Sequence, residues 1–354
     1  MQFTIKMPDD CHAHLRNDEM MRMVVPYSER QFNRVVVMPN TTPPLTTRNL
    51  VIDYSQQLRD LNVSFSPMMT LYLTDDTNIE DLEALSNDPC FAGCKLYPVG
   101  ATVNSKHGVT SIEKIKWILA HMQRLDIPLL IHGEDTRYGI FEREEAFIRN
   151  YLFNLCADYP KLRVVLEHIT TAYAASLIKN NIIQNLWATI TPHHLLISRD
   201  SIFANNMINP HYFCLPIAKK ESDRKALLEA ATSGNSRFFA GTDSAPHPRS
   251  KKEEQGVPGC FTAPAAIEHY AEAFDSVDKL DRLEGFTSIY GAKFYGWETT
   301  LKQLTLYDAS GDDTYDSWYM MIRKHRHDFH FSADIPYPFS CGRYLKWRIK
   351  NACA

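Results

Sequence analysis

Two histidines close to the amino terminus, His12 and His14, are two residues apart and follow a short apolar run. In a strand, side chains two positions apart project from the same face, so both imidazoles can reach one metal ion. A second pair with this spacing, His325 and His327, has His330 close by but lies among Lys and Arg residues. Because neighbouring cations repel a divalent ion, we favour His12 and His14 as metal ligands.

Further residues suited to a metal site occur at the ends of later apolar runs or inside one. They are Lys95, His132, His168 and Asp243. Taken alone, a strand-end histidine is commonly structural, and an aspartate before a helix is commonly an N-cap. Their recurrence at the ends of separate predicted strands favours one shared site. A desolvated Lys95 would have a lowered pKa and an amine able to form a carbamate with carbon dioxide, although a lysine that reaches solvent or pairs with an aspartate explains this residue equally well.

Short apolar or β-branched runs recur along the chain, with segments of helical periodicity between them. The predicted strands are 3–7, 34–38, 63–73, 91–94, 127–131, 162–166, 186–190 and 237–240. One predicted helix runs from Ser111, as its N-cap, to Leu125. Alternating strands and helices favour parallel pairing, and eight such units predict an α/β fold, a (β/α)8 TIM barrel with its active site at the carboxyl ends of the strands.

The chain length of 354 residues suits two domains of about 150 residues or one large barrel. Because the candidate residues extend from His12 to Asp243, no division between them would leave the site intact. We predict a catalytic barrel over residues 1–297 and a C-terminal extension over 298–354 that packs on it. A composition of 44% hydrophobic and 23% charged residues excludes collagen-like, low-complexity and wholly disordered proteins.

Charge and hydropathy argue against several classes of partner. The 38 basic and 42 acidic residues give a net charge of −4, without the basic excess of general nucleic-acid binders. No run approaches the roughly 18 apolar residues needed to cross a bilayer, and no export signal is present, so we expect a cytoplasmic protein without membrane contact. The eight cysteines include no C-x-x-C pair, and we expect reduced, mostly buried thiols.

The segments around the candidate residues resemble a known family, the dihydroorotases of the short, monofunctional bacterial type within the amidohydrolase superfamily. The resemblance rests on the order and spacing of residues 8–16, 38–40, 95–98, 132–134, 167–171 and 241–247. It covers roughly residues 5–297 and becomes vague beyond them.

The resemblance implies a binuclear zinc site and a reaction. The implied ligands are His12, His14 and Asp243 for one zinc ion and His132 and His168 for the other, with a carbamylated Lys95 and a hydroxide bridging both. The implied activity is the reversible cyclisation of N-carbamoyl-L-aspartate to (S)-dihydroorotate in pyrimidine (UMP) biosynthesis. The hydroxide would attack the ring amide, and Asp243 would carry the proton. A homodimer is also implied.

The same resemblance implies a set of substrate contacts. They are Arg16, Asn40, Thr102, His132, Leu215 through its backbone, and His247. Arg16 offers a planar guanidinium that can bind the substrate carboxylate with two hydrogen bonds. Two positions depart from the family. Val103 replaces a second hydroxyl residue in the loop over 100–108 that closes on the substrate, and Pro258 lacks the backbone N–H of the usual alanine.

Two other functions are compatible with part of this pattern. A hydantoinase or allantoinase would use the same metal site, but its substrates need not carry the carboxylate that Arg16 would bind. An inactive barrel that serves as a scaffold in a pyrimidine-pathway assembly would require a broken site, whereas all six candidate metal-site residues are present.

Overall fold

A computed structural model describes residues 1–310, 335–339 and 345–350. Its strands are β1 (Gln2–Lys6), β2 (Asp9–Ala13), β3 (Arg34–Val37), β4 (Ser66–Tyr72), β5 (Phe91–Leu96), β6 (Leu129–Ile131), β7 (Val164–Leu166), β8 (Leu186–Ile190), β9 (Phe238–Ala240), β10 (Gln303–Asp308) and β11 (Trp347–Ile349). Strands β2 to β9 form one sheet in chain order, and each neighbouring pair is parallel. This arrangement confirms the predicted (β/α)8 barrel.

The last strand of this sheet returns to the first, so the barrel is nearly closed. Just beyond β9, the backbone N–H of Asp243 donates to the carbonyl of His12 at 2.8 Å, and the N–H of His14 donates to the carbonyl of Ser244 at 3.1 Å. The residues that complete the ring of strands therefore include three of the predicted metal ligands.

Helices connect successive strands and cover the outside of the barrel. They are α1 (Asp18–Glu29), α2 (Arg48–Asp60), α3 (Ile79–Ser86), α4 (Lys116–Arg124), α5 (Arg143–Phe147), α6 (Phe153–Asp158), α7 (Ala172–Lys179), α8 (Pro192–Leu196), α9 (Arg199–Ile202), α10 (Glu221–Thr232), α11 (Arg249–Gln255), α12 (Ala266–Asp275) and α13 (Tyr290–Tyr295). The helix predicted from Ser111 is present. The Ser111 hydroxyl accepts a hydrogen bond from Glu113 N, and a 3₁₀ turn (Ile112–Ile115) leads into α4.

Alternate residues of the barrel strands form two separate apolar clusters. Val36, Leu130 and Val165 lie together inside the barrel, whereas their neighbours along each strand pack outward against the helices. The inner cluster fills the barrel below the level of the polar strand ends. Each short strand thus contributes apolar side chains to two layers, one inside the barrel and one that faces the helices.

A bulge in β5 turns Lys95 towards the barrel interior. The register between β4 and β5 shifts at Thr70, so Ala92 joins the inner apolar cluster while Lys95, three residues later, interacts with the buried carboxylates of the centre. Gly93 makes this bulge possible, since its φ is +148° and a Cβ there would lie 2.5 Å from the Pro128 carbonyl oxygen.

The prediction that residues 3–7 form the first barrel strand is wrong. Strand β1 pairs antiparallel with β10 in a small sheet that also contains β11, and Phe3 lies opposite Leu306. The first barrel strand is β2, whose sequence is largely polar. Burial of Asp10 in β2 is compensated because its carboxylate accepts hydrogen bonds from the backbone N–H and the hydroxyl of Thr242, at 2.8 and 2.7 Å. Hydropathy alone does not reveal a strand of this kind.

The proposed division at residue 297 remains a prediction. Strand β10, which follows that position, pairs with the first strand of the chain. The alternative histidine cluster at His325, His327 and His330 lies outside the described residues. In the part of the chain that the structure covers, no helix is both long and apolar enough to cross a membrane.

Candidate metal centre

The six predicted metal-site residues converge at the carboxyl ends of the barrel strands. The Nε2 atoms of His12 and His14 lie 3.4 and 3.0 Å from Asp243 Oδ1. The ring of His168 lies 5.0 Å from that of His12 and 4.8 Å from that of His132, measured between centroids. Lys95 is fully buried among them. Strands β2 and β5, together with the segments that follow β2, β6, β7 and β9, thus supply one cluster of imidazole, carboxylate and amine groups.

Glu167 fixes the orientation of His12. Its Oε2 accepts a hydrogen bond from His12 Nδ1 at 2.9 Å and another from the Thr189 hydroxyl at 2.5 Å. Nε2 is then the His12 nitrogen that faces Asp243 Oδ1, at 3.4 Å. Burial opposes protonation of His12, but the charge of Glu167 and the hydrogen bonds with Asp243 and Glu167 prevail and raise its pKa. A metal cation at Nε2 would be favoured by the same negative charges.

Glu134 has the same role for His132. Its Oε2 accepts a hydrogen bond from His132 Nε2 at 2.8 Å, which leaves Nδ1 as the lone-pair nitrogen. His168 Nδ1 is buried and has no hydrogen-bond partner among the described residues, and burial holds its pKa well below the usual range. The neutral imidazole of His168 and the Nδ1 atom of His132 are therefore available as ligands.

The buried amine of Lys95 also has no hydrogen-bond partner among the residues that the structure describes. Burial lowers its pKa to about 8, against the opposing charges of Glu167 and Asp243. Buried polar atoms are normally satisfied, so the unpartnered Lys95 Nζ and His168 Nδ1 indicate that a group absent from the polypeptide completes the cluster. Four imidazoles and a carboxylate are the donors that divalent transition metals prefer, and the site fits a metal cofactor.

Asp243 is ionised in this environment. Burial disfavours its charged form, but hydrogen bonds with His12 and His14 and the charge of His12 hold its pKa well below the ordinary value. Its φ is +44°, in the left-handed region, and His168 has a φ of +43°. Such conformations cost roughly 1–3 kcal/mol each for residues other than glycine and persist where the surrounding structure enforces them, commonly at functional sites.

Arg16 lies at the edge of the cluster, where its charge disfavours protonation of His14 and favours the ionised form of Asp243. Its Nε donates to the Pro246 carbonyl at 2.8 Å, and one terminal nitrogen donates to His247 Nε2 at 3.0 Å. Burial lowers the pKa of His247 to about 2, so this imidazole is neutral and accepts the hydrogen bond. The Arg16 guanidinium is thus held in place beside the predicted metal ligands.

Asn40 contacts the loop over residues 100–108. Its side-chain amide donates to the Val103 carbonyl at 3.2 Å, and Asn104 donates to the Asn40 carbonyl at 3.0 Å. The first contact uses the backbone of Val103, so it does not need the hydroxyl that this position lacks. Thr102 forms hydrogen bonds with Ser105 inside the loop, at 2.9 and 2.5 Å. Its predicted contact with substrate remains a prediction.

Leu215 and Pro258 lie in two segments joined by a hydrogen bond from Gly259 N to the Phe213 carbonyl at 2.8 Å. Both residues are partly exposed. The peptide bond between Leu215 and Pro216 is cis. The contact of the Leu215 backbone with substrate remains a prediction, as does the loss of a backbone N–H contact at Pro258.

Sequence reasoning missed the residues that orient the ligands. Glu134 and Glu167 are both fully buried and each binds a ligand histidine, and Thr189 supports Glu167. Glu134 follows His132 by two residues, and this short spacing in the sequence could have identified it as a partner of His132. Glu167 adjoins His168 in sequence but bonds to His12, 155 residues away, and only the fold reveals that pairing.

Both the sequence and the fold are similar to those of known dihydroorotases. The sequence model of the amidohydrolase family matches residues 10–304. The chain is 49% identical over 311 residues to the dihydroorotase of Acaryochloris marina, covering 86% of this chain and 90% of that protein. It is 43% identical over 349 residues to the dihydroorotase of Aromatoleum aromaticum, covering 97% of each. The crystal structure of the Campylobacter jejuni dihydroorotase has a TM-score of 0.84 at 34% identity, covering 99% of this chain and 97% of that one.

Replacing Glu167 with Gln should weaken zinc binding about 10- to 100-fold. The negative charge of Glu167 orients His12 and increases the basicity of its imidazole, and the substitution removes that charge. Competition with a chromophoric chelator measures this affinity. The control is Glu145→Gln, whose side chain is 45% exposed and pairs with Arg149 on the outer surface. Equal zinc affinity in the Glu167 and Glu145 variants would contradict the role given to Glu167.

Proposed function

The chain belongs to the amidohydrolase family, and on that basis we propose that it is a dihydroorotase. It interconverts N-carbamoyl-L-aspartate and (S)-dihydroorotate in pyrimidine biosynthesis. The observation that carries this assignment is the fixed guanidinium of Arg16 beside the metal ligands His14 and Asp243. Dihydroorotate carries a carboxylate on its ring, one methylene group away from the reactive amide carbonyl, and a guanidinium at the edge of the centre is suited to bind it.

The cofactor that fits the six residues best is a pair of zinc ions. His12, His14 and Asp243 would hold one ion, and His132 and His168 would hold the other. Bound zinc would stabilise negative charge on the amide carbonyl oxygen and lower the pKa of water in the site. The two orienting carboxylates, Glu134 and Glu167, support this assignment, since histidine ligands commonly donate their second N–H to such a group.

Lys95 would join the two halves of the site as a carbamate. With its pKa lowered to about 8, part of the amine is neutral near physiological pH. The neutral nitrogen forms a bond to the carbon of carbon dioxide and loses a proton, which gives an anion with two oxygen ligands. The unpartnered position of Lys95 Nζ supports this modification, because the added group would provide the missing polar contacts.

Asp243 moves the proton in both directions of the reaction. As an ionised carboxylate it accepts a proton from the attacking water and delivers it to the amide nitrogen while the ring C–N bond breaks. In ring closure it removes a proton from the carbamoyl nitrogen as that nitrogen attacks the side-chain carboxyl carbon, and it passes this proton to the carboxyl oxygen that departs as water. One residue can serve both directions because the reverse reaction uses the same transition state.

The remaining contacts orient the substrate. Arg16 binds its carboxylate, and His247 holds Arg16 at the required position. Asn40, Thr102, His132 and the backbone of Leu215 complete the proposed set. The Asn40 side chain donates to the Val103 carbonyl in the loop over residues 100–108. This contact supports a position beside the substrate for Asn40 and for the loop.

We also propose that the protein acts in the cytoplasm as a homodimer, as the family resemblance implies. The six cysteines in the described part of the chain are free thiols, which suits a reducing compartment. Size-exclusion chromatography with light scattering would measure the oligomeric state.

The zinc-loaded protein should hydrolyse dihydroorotate and cyclise N-carbamoyl-L-aspartate, and it should turn over an unsubstituted hydantoin much more slowly. The reason is that hydantoin lacks the carboxylate that Arg16 binds. Absorbance assays in both directions measure the rates. Preferred turnover of hydantoin would assign the chain to another cyclic-amidase activity, and no turnover of either compound would favour an inactive scaffold.

Replacing Arg16 with Met should raise KM for dihydroorotate about 10- to 100-fold, since a hydrogen-bonded contact with a charged group is worth roughly 1.5–3 kcal/mol. The value of kcat should change much less, because the carboxylate is bound in the ground state and the transition state alike. Arg22→Met, at an exposed position on α1, is the control. An unchanged KM in the Arg16 variant would exclude Arg16 as the carboxylate-binding residue.

Replacing Lys95 with Ala should remove most of the bound zinc and nearly all activity, because the two halves of the site lose their shared anionic ligand. Metal analysis of the purified protein and the dihydroorotate assay provide the two measurements. Lys116→Ala, at a half-exposed position on α4, should leave both unchanged. Full zinc content in the Lys95 variant would show that no carbamate bridge holds the metal.

A further inference from the structure

A second group of metal-ligating side chains lies apart from the centre described above and shares no residue with it. It consists of His193 on α8, Cys214 and Cys260. One ligand atom from each of the three residues lies within 4.8 Å of the others, and all three side chains are at most 1% exposed. We call this group the thiol cluster.

His193 is the unusual member of the thiol cluster. Neither of its ring nitrogens has a hydrogen-bond partner in the described part of the chain, although both are buried. The two sulfurs have only weak partners, since Cys214 Sγ lies 3.3 Å from the Pro216 carbonyl oxygen and Cys260 Sγ lies 3.4 Å from the His211 carbonyl oxygen. An unsatisfied buried polar group costs roughly 1–3 kcal/mol, so a buried imidazole without partners points to a ligand.

We propose that the thiol cluster binds a thiophilic divalent cation, Zn²⁺, through His193, Cys214 and Cys260. Zinc–sulfur bonds of about 2.3 Å and zinc–nitrogen bonds of about 2.0–2.1 Å place tetrahedral ligand atoms roughly 3.5–3.8 Å apart. Since the ligand atoms of the thiol cluster lie within 4.8 Å of one another, their separations need to contract by about 1.3 Å at most. His194 Nε2 lies 3.6 Å from Cys214 Sγ but donates its proton to the Pro216 carbonyl at 3.0 Å, so it offers no lone pair and the fourth position would be taken by water.

A buried lysine lies close to the thiol cluster. The buried Lys252 amine donates to the Phe213 carbonyl at 2.9 Å and interacts electrostatically with both Cys214 and Cys260. Zinc would bind as the two thiols lose their protons, and the two thiolates would neutralise one divalent cation. Phe339 packs against His193, with 6.1 Å between ring centroids, and is itself buried. The enclosed position suits a structural metal site rather than one that exchanges substrate.

The cation would tie together segments that carry proposed substrate contacts. Cys214 adjoins Leu215, and Cys260 follows Pro258 by two residues. His193 lies in the short helix that follows β8. A shared ion would hold the strand-end segments after β8 and β9 at a fixed spacing. This consequence rests on the proposed function, whereas cation binding itself does not.

Zinc-edge X-ray absorption of the full-length, zinc-loaded protein tests the proposal directly. The centre at His12 offers only nitrogen and oxygen ligands, so a sulfur shell at about 2.3 Å reports thiolate ligation elsewhere. We expect this shell in the unmodified protein. Cys214→Ser and Cys260→Ser should each diminish it and remove about one zinc per chain, while Cys156→Ser, at a buried cysteine outside the thiol cluster, should leave it intact.

Absence of a sulfur shell in the unmodified protein would overturn the proposal, as would a shell that persists undiminished in both cysteine variants. If those variants fail to fold, His193→Ala offers a second comparison and should also lose about one zinc per chain. The cobalt-loaded unmodified protein supplies a measurement without any variant, since thiolate ligation gives a near-ultraviolet charge-transfer band. Dihydroorotate turnover does not enter these readouts, so this proposal and the proposed function can fail independently.

Discussion

The rest of the site depends on the interactions of one buried carboxylate, that of Glu167. It accepts hydrogen bonds from His12 and Thr189 and lies close enough to raise the pKa of Lys95 against the effect of burial. A charge in this position is tolerated only because the surrounding groups compensate it, and removal of one partner leaves the others uncompensated. Glu167 thereby sets both the orientation of one ligand and the charge balance of the whole cluster.

The same few backbone contacts close the barrel and bring the ligands together. The hydrogen bond from Asp243 N to the His12 carbonyl joins the two ends of the sheet and also sets the distance between two ligand side chains. The left-handed conformation of Asp243 and the bulge at Gly93 each turn one side chain into the centre. These two local backbone conformations lie where the proposed chemistry takes place, and the packed barrel beneath them provides the compensating stability.

Much of this arrangement could be predicted from the sequence because parallel strands end in unusual polar residues. The barrel, seven of its strands and the convergence of the ligand residues follow from that pattern. The first barrel strand could not be found by hydropathy, since Asp9–Ala13 is polar and is stabilised by contacts such as that of Asp10 with Thr242. The bond between Glu167 and His12 was equally hidden, because sequence adjacency associates Glu167 with His168 instead.

The small sheet of β1, β10 and β11 has a consequence for the order in which the chain can fold during synthesis. Residues Gln2–Lys6 precede the barrel strands in the chain, whereas their pairing partner Gln303–Asp308 is made only after all eight of them. During synthesis β1 therefore lacks this partner, and is available to other strand edges, until residue 303 has been made. Only then can the small sheet join the strand before the barrel to the strand after it.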